Sequence, residues 1–210
     1  MVAGESGGSK MGVRKERSAD TAAALKEAAK RQFVERGYLN TKITDITAAA
    51  GRATGSFYEH FASKEDLLRE LEADMHRQAG ADLLGQHPAE HDLTDPGQLR
   101  AHVAATWQTM RSNLPVMIAL YEAAIGGGRD PGQVWRDLVA GTSVLRAHLD
   151  YARGQGRELA GDPELIAAAM GAMLSALGYA LLRSGSGAFS DEEVVDTLTR
   201  LLHSGLSGPG

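Results

Sequence analysis

Residues 51–67, GRATGSFYEHFASKEDL, constrain this chain more than any other stretch, because one short window holds a helix end, a tight turn, a polar-aromatic helix and the capped start of another helix. Gly51 follows the apolar-periodic positions Ile43, Ile46 and Ala50, and it tolerates the positive φ with which a helix ends. Over residues 54–60, Thr54, Ser56, Tyr58 and His60 offer hydrogen-bonding side chains of short reach, whereas Phe57 and Phe61, four apart, are placed to face inward. Ser63 ahead of Lys64, Glu65 and Asp66 resembles a capping box, and Leu67, Leu68, Leu71 and Met75 continue at helical spacing, so a helix opens at 63 or 64. A short helix with one anchored face and one polar face, entered through a glycine turn, is the helix-turn-helix arrangement that lies in a DNA groove.

The flanks agree with that reading. Leu25, Ala29 and Phe33 recur every four residues, Gly37-Tyr38 closes their helix, and Thr41 opens the next segment, so three helices precede the long one. Lys64 falls in the first turn of that long helix. An ammonium beside exposed backbone N–H groups makes a natural phosphate site, which predicts a backbone clamp next to the reading helix.

The run FVERGYLNTKITDITAAAGRATGSFYEHFASKEDLL resembles the DNA-binding domain of the tetracycline-repressor-like (TetR) family of bacterial transcription regulators, over about residues 19–70. The shared marks are Phe33, Gly37-Tyr38, Thr41, Asp45-Ile46, Gly51, Gly55, Tyr58, His60-Phe61 and Ser63-Lys64. The resemblance implies an all-helical homodimer whose N-terminal three-helix unit binds a pseudo-palindromic operator and whose larger C-terminal domain binds a small molecule that weakens DNA binding. Matched to the family motif, Thr54, Ser56, Tyr58 and His60 face the major groove, joined by Thr44. Thr41, Lys42 and Lys64 hold phosphates, with the basic residues Arg14, Lys15 and Arg17 adding sequence-independent attraction. Tyr58 has packing as its alternative role, and His60 has turn support. Coupling to the ligand is expected to run along the helix that starts near 63.

The chain departs from the family at Arg52 and Ala53, where an apolar residue and a Ser or Thr cap are usual. Ala is a poor N-cap, weaker than Ser or Thr by about 1 kcal/mol. The cap therefore lies somewhere in 52–54, with Thr54 the side chain best able to supply it and the reading helix correspondingly shorter. Arg52 is expected to reach a phosphate, with a guanine edge as the alternative.

Charge is distributed as a DNA binder needs. Residues 1–64 hold 11 Lys+Arg against 7 Asp+Glu, a net of +4, while residues 65–210 hold 11 against 20, a net of −9. The absence of Cys excludes disulfides, zinc fingers and thiol nucleophiles. The chain is read as a disordered basic arm over 1–17, a helix-turn-helix domain over 18–66 and an effector-binding and dimerisation domain over 67–206. No stretch is read as a membrane span, and no signal peptide is evident, so a cytoplasmic location is expected.

Beyond residue 70 the pattern is helical throughout, with about nine helices in all and loops near 85–97, 126–132, 154–163 and 184–190. Asp95-Pro96 and Asp162-Pro163 are cap-plus-proline starts, and Ser190-x-x-Glu193 is a capping box. Leu99, Val103, Trp107, Met110 and Leu114 share one stripe. The segment 163–184 is apolar on more than one face, with Gly171, Ser175 and Gly178 as small residues. It is expected to form half of a four-helix dimer interface with the last helix, or else to be buried within one subunit. Trp107, Tyr121 and Trp135 are the candidates for a pocket that takes a lipophilic or aromatic effector, the alternative for each being ordinary core. A dimeric DNA-binding regulator that needs no effector is a second reading. Enzyme chemistry is not expected, since HExxH, GxSxG, GxxxxGK[ST] and a strand-linked GxGxxG are all missing. His87 and His91 lie four apart beside Asp92, but Pro88 interrupts them and no further ligand is spaced to join, so no metal or cofactor is expected.

Overall fold

The computed structural model describes residues 7–83, 91–126, 131–185 and 187–206, and every regular element among them is a helix. Ten helices follow in order: α1 (Gly7–Arg36), α2 (Ile43–Ala49), α3 (Thr54–Tyr58), α4 (Lys64–Leu83), α5 (Pro96–Ser112), α6 (Leu114–Gly126), α7 (Pro131–Gly141), α8 (Ser143–Gly154), α9 (Pro163–Ser184) and α10 (Asp191–Leu206). The count exceeds the expected nine because the run from 96 to 154 divides more finely than its apolar stripe suggests. Asn113 caps α5 in a non-helical conformation, Pro115 falls in the first turn of α6 where a missing N–H is harmless, and Thr142 breaks α7 from α8. α1 begins at Gly7, so the part of the expected disordered arm from 7 to 17 is helical.

The starts marked by local chemistry form as read. Asp95 accepts from the Gln98 amide at 2.8 Å and Asp162 from the Glu164 amide at 2.9 Å, each with proline at the first helical position. Ser190 and Glu193 bond reciprocally, Glu193 N–H to Ser190 Oγ at 3.2 Å and Ser190 N–H to Glu193 Oε2 at 2.8 Å. Gly37 ends α1 at φ +79°, its amide donating to Phe33 O at 3.0 Å.

Two apolar cores organise these helices. The first joins Leu25, Ala29 and Phe33 of α1, Ile46 of α2, Phe57 of α3, Phe61 just after it, and Leu67, Leu68, Leu71 and Met75 of α4. Val116, Ala119 and Ala123 of α6 complete it. The second joins Leu99, Val103 and Trp107 of α5 to Leu149 of α8, Met170 and Leu174 of α9, and the α10 positions Val194, Val195, Leu198 and Leu202. The boundary expected at 66/67 therefore runs through packed side chains. α4 and α6 belong to the N-terminal core as much as to the remainder.

α9 corrects one sequence expectation. Its mean hydropathy reaches 2.0 over an 18-residue window, so by length and composition it is able to cross a membrane. The run from 165 to 182 holds no charge. Its buried positions, among them Ala167, Met170, Leu174 and Gly178, pack on α5, α6, α7 and α8, which is how a core helix of a bundle is used. Leu165, Ala169, Ala172, Met173, Ala176 and Ala180 stay exposed along its opposite side.

Candidate nucleic-acid interface

The turn between α2 and α3 is built by backbone geometry. Gly51 takes φ +62°, the Arg52 amide returns to Thr47 O at 2.9 Å, and Ala53 stands at the N-cap of α3 with extended dihedrals and no side-chain cap. Thr54 is thus the first helical residue and not the cap, and its hydroxyl lies 3.5 Å from that of Thr47. The residues around 52–54 leave the first amides of α3 without a side-chain acceptor, and the helix is only five residues long.

What fixes so short a helix is its inner face. Phe57 is fully buried, with ring centroids 5.5 Å from both Tyr58 and Phe61. Burying one phenylalanine stabilises by about 1.5–3 kcal/mol, enough to hold an element that propensity alone would leave frayed. The outer face is the opposite. Tyr58 is 59% exposed, Thr44, Arg52 and Thr54 are exposed, and Ser56 and His60 are half-buried at the edge. A Cβ added at Gly55 would meet nothing within 4 Å, so the start of α3 presents bare backbone to solvent. Lys42 projects from the N-cap of α2, where its amide donates to Asp45 Oδ2 at 2.9 Å. These side chains form one polar surface on α2, the turn and α3.

Two expected phosphate contacts face inward instead. Thr41 is buried, and its hydroxyl donates to Gly37 O at 2.7 Å and Gln32 O at 3.2 Å. The Lys64 ammonium donates to Tyr38 O at 2.7 Å and Thr41 O at 2.9 Å, and it lies 4.3 Å from the Tyr38 ring centroid. Burial lowers the Lys64 pKa from its ordinary value, with the Glu65 carboxylate pulling the other way. The reason is tertiary: the α1–α2 turn lies over the start of α4 and supplies carbonyls that a reading of local helix chemistry does not contain. Arg14 and Lys15 lie where side chains are outside the described residues, and Arg17 is exposed on α1.

The three pocket candidates are dispersed. Trp107 is buried in the second core and its Nε1–H donates to Asp191 Oδ1 at 2.8 Å, an oxygen that Arg111 also grips. Tyr121 stacks on Tyr179 with centroids 4.2 Å apart and planes 19° from parallel. Trp135 is exposed on α7. Two clefts open among the C-terminal helices. One of about 620 Å³ lies between the end of α9 and α10, bordered by Leu177, Leu181, Phe189 and Leu198. A second, of about 400 Å³, is lined in part by Trp107, Leu114 and Leu182. His87 lies outside the described residues, and among those residues no three His, Cys, Asp or Glu side chains are arranged to hold a metal. His91 instead packs with His102 and the buried His148, at centroid distances of 5.1, 5.4 and 4.8 Å within the trio.

Sequence reasoning passed over one residue that the structure brings to this unit. Glu122 of α6 accepts from the Tyr38 amide at 2.7 Å across 84 positions. Its signal was present, since it is the single charged side chain in the apolar run of α6, LPVMIALYEAAIG.

The sequence profile of "Bacterial regulatory proteins, tetR family" matches residues 25–71. The chain is 35% identical over 82 residues to the HTH-type transcriptional regulator TtgR of Pseudomonas putida, covering 39% of this chain and 38% of that protein. It is 46% identical over 57 residues to the HTH-type transcriptional repressor DhaR of a Mycobacterium species, covering 25% and 29%. The matched stretches thus span well under half of these relatives' own length. The fold continues much further. The TetR-family transcriptional regulator PfmR of Thermus thermophilus superposes with a TM-score of 0.62 at 25% identity, over 87% of this chain and 97% of its own. Residues 25–71 are thus similar to the tetR-family regulatory profile, and the helical frame is similar to that of a TetR-family regulator over most of the chain.

Proposed function

We propose that the protein is a DNA-binding transcriptional regulator that acts as a homodimer on a pseudo-palindromic operator and is released from it by a small lipophilic or aromatic molecule. The observation that carries the reading is the division within α3: Phe57 wholly inside, and Thr54 and Tyr58 outside on a short helix with bare backbone at its start, with Arg52 exposed in the turn before it. Thr44, Thr54, Ser56, Tyr58 and His60 read base edges, while Lys42 and Arg52 hold phosphates. Thr41 and Lys64 serve the same end from inside, by fixing the turn from which α2 starts.

The exposed apolar side of α9 supplies the dimer contact, because small residues at Ala169, Ala172, Ala176 and Ala180 let a second helix approach closely. Two recognition helices related by a two-fold axis then call for two half-sites. The effector, on this reading, enters among the aromatic and methionine side chains of the C-terminal helices.

One observation favours a second reading, a dimeric regulator without an effector. Trp107 has its N–H taken up by Asp191 and Tyr121 is already stacked on Tyr179, so both are engaged within the protein. A thermal-shift screen separates the two. Stabilisation by lipophilic or aromatic compounds supports release by ligand, stabilisation by charged compounds alone contradicts the stated effector class, and no stabilisation favours the second reading.

The DNA-binding function is tested by titrating the purified protein against its own upstream intergenic DNA, at several salt concentrations and with excess unrelated duplex. Tight binding at two protomers per site that survives competition is expected. Binding abolished by unrelated DNA counts against it.

A further inference from the structure

A helix that ends in a left-handed glycine ordinarily folds its next amide back onto its own last turn. α1 does this only in part. The Gly37 amide returns to Phe33 O at 3.0 Å, but the Tyr38 amide points away from the helix and donates to Glu122 Oε2 of α6 at 2.7 Å. The cap of the helix that carries the N-terminal core is therefore completed by a side chain from the other half of the molecule.

The fit around that contact is close on both sides of the turn. A Cβ at Gly37 would come within 2.8 Å of Glu122 Oε2, and a Cβ at Gly126 would come within 2.4 Å of Leu39 Cδ1. The C-terminal half of α6 thus lies against all three residues 37–39. Tyr38 itself is held at each of its polar atoms: N–H by Glu122, carbonyl by Lys64 at 2.7 Å, and hydroxyl by Glu65 at 3.2 Å. Lys64 also holds Thr41 O, one residue before the N-cap of α2. A chain of contacts thus runs from Glu122 through Tyr38 and Lys64 to the start of α2. On its other flank, the residue before Glu122 is Tyr121, stacked on Tyr179 of α9.

We propose that Glu122 is a positioning residue for DNA recognition. Through the Tyr38 amide it sets the α1–α2 turn from which the recognition unit hangs, and the Tyr121–Tyr179 stack beside it is the lever by which a change in the C-terminal core reaches that turn. This rests on the DNA-binding reading, and it gives coupling a route separate from the length of α4. α6 acts directly on residues 37–41 and needs no bending of α4 to displace α2. A side chain that displaced the Tyr121–Tyr179 stack would pull the carboxylate and release the cap.

The test uses the full-length protein without any effector. Amide hydrogen exchange is measured for the parent, Glu122→Ala, Glu122→Gln, Tyr179→Ala and the Glu122→Ala/Tyr179→Ala double variant, and each is titrated with the upstream DNA and with unrelated duplex. Glu122→Ala is expected to speed exchange over residues 38–41 by roughly fivefold, the factor one lost cap hydrogen bond carries. It is expected to weaken operator binding by a similar factor while leaving unrelated-DNA affinity and the salt slope unchanged, because Glu122 is directed at the Tyr38 amide rather than at the recognition face. Glu122→Gln keeps an acceptor oxygen for the Tyr38 N–H and is expected to restore both, which general loss of packing would not do. Tyr179→Ala is expected to speed the same amides in the parent and to add little to Glu122→Ala. Unchanged exchange at 38–41 in Glu122→Ala overturns the positioning role, and additive effects in the double variant overturn the lever. If the parent binds no DNA the functional reading fails, while the exchange measurements still decide this inference.

Discussion

The recognition unit and the C-terminal helices are built from the same element, yet they differ in what fixes each residue. In the recognition unit the inward positions each answer to a specific partner. Phe57 fills the first core, Gly51 and Gly37 take positive φ, Thr41 satisfies two carbonyls, and Lys64 spans a turn. In the C-terminal helices many positions need only be apolar, as in the second core of Leu99, Leu149, Met170, Leu174 and Leu198. Several hydrophobic side chains satisfy such a site at similar cost. The family profile ends at residue 71 while the shared fold runs over 87% of the chain, and this difference in constraint is a physical reason.

The largest effect is expected at Phe57→Ala, which removes a fully buried ring and destabilises by about 3–5 kcal/mol. Because α6 packs into the same core, the loss is expected in a single global urea transition. A separate early transition of the N-terminal helices would break the comparison by making the unit an independent domain. The neighbouring Tyr58→Ala is expected to leave that transition within about 0.5 kcal/mol and to lose base preference instead, by about 1–3 kcal/mol at one position of the site.

Next comes Gly37→Ala, where a side chain meets both the left-handed φ and the Glu122 carboxylate. It is expected to lower stability by about 1–3 kcal/mol in the same assay. Lys64→Ala sharpens the distinction between inner and outer cations. It leaves the Tyr38 and Thr41 carbonyls without their donor, so stability falls by about 1–2 kcal/mol while the salt slope of DNA binding stays as in the parent. Arg52→Ala does the reverse, lowering the slope by about 1 with little change in stability.

The smallest effect belongs to the C-terminal region. Burial alone would raise the Asp92 pKa, but bonds from Thr94 and Arg157 hold it below its ordinary value. A depressed carboxyl contributes above its unfolded pKa of about 3.9, and the contribution is lost as pH falls through the folded value. Asp92→Asn is therefore expected to destabilise by about 1 kcal/mol or less at neutral pH, with the difference from the parent vanishing in acid, as followed by thermal unfolding across pH.

Local chemistry made much of this legible in advance. Phe57 and Phe61 were placed inward by their spacing, Gly37 and Gly51 by helix ends, and Asp95, Asp162 and Ser190 by cap signatures, since each is decided within about four residues. What sequence left out lies between distant segments. Lys64 was read as a phosphate clamp because its local setting is a helix start, and only folding brings the Tyr38 and Thr41 carbonyls to it. Ala53 was passed over as a cap because its side chain is unsuited, yet the buried Phe57 and the Gly51 turn fix α3 without one. The pocket candidates were chosen by residue type, which says what a cavity can be lined with and not where the helices leave one.

The most direct test of the central claim is selection of bound sequences from a pool of random duplexes by the parent protein and by Tyr58→Ala. The account predicts that the parent enriches one pseudo-palindromic site with two equal half-sites, and that Tyr58→Ala binds the pool with the same salt dependence but loses preference within each half-site. Enrichment of no common sequence by the parent, or of the same half-sites at full strength by Tyr58→Ala, would contradict the assignment of the α2–α3 surface as the reading face.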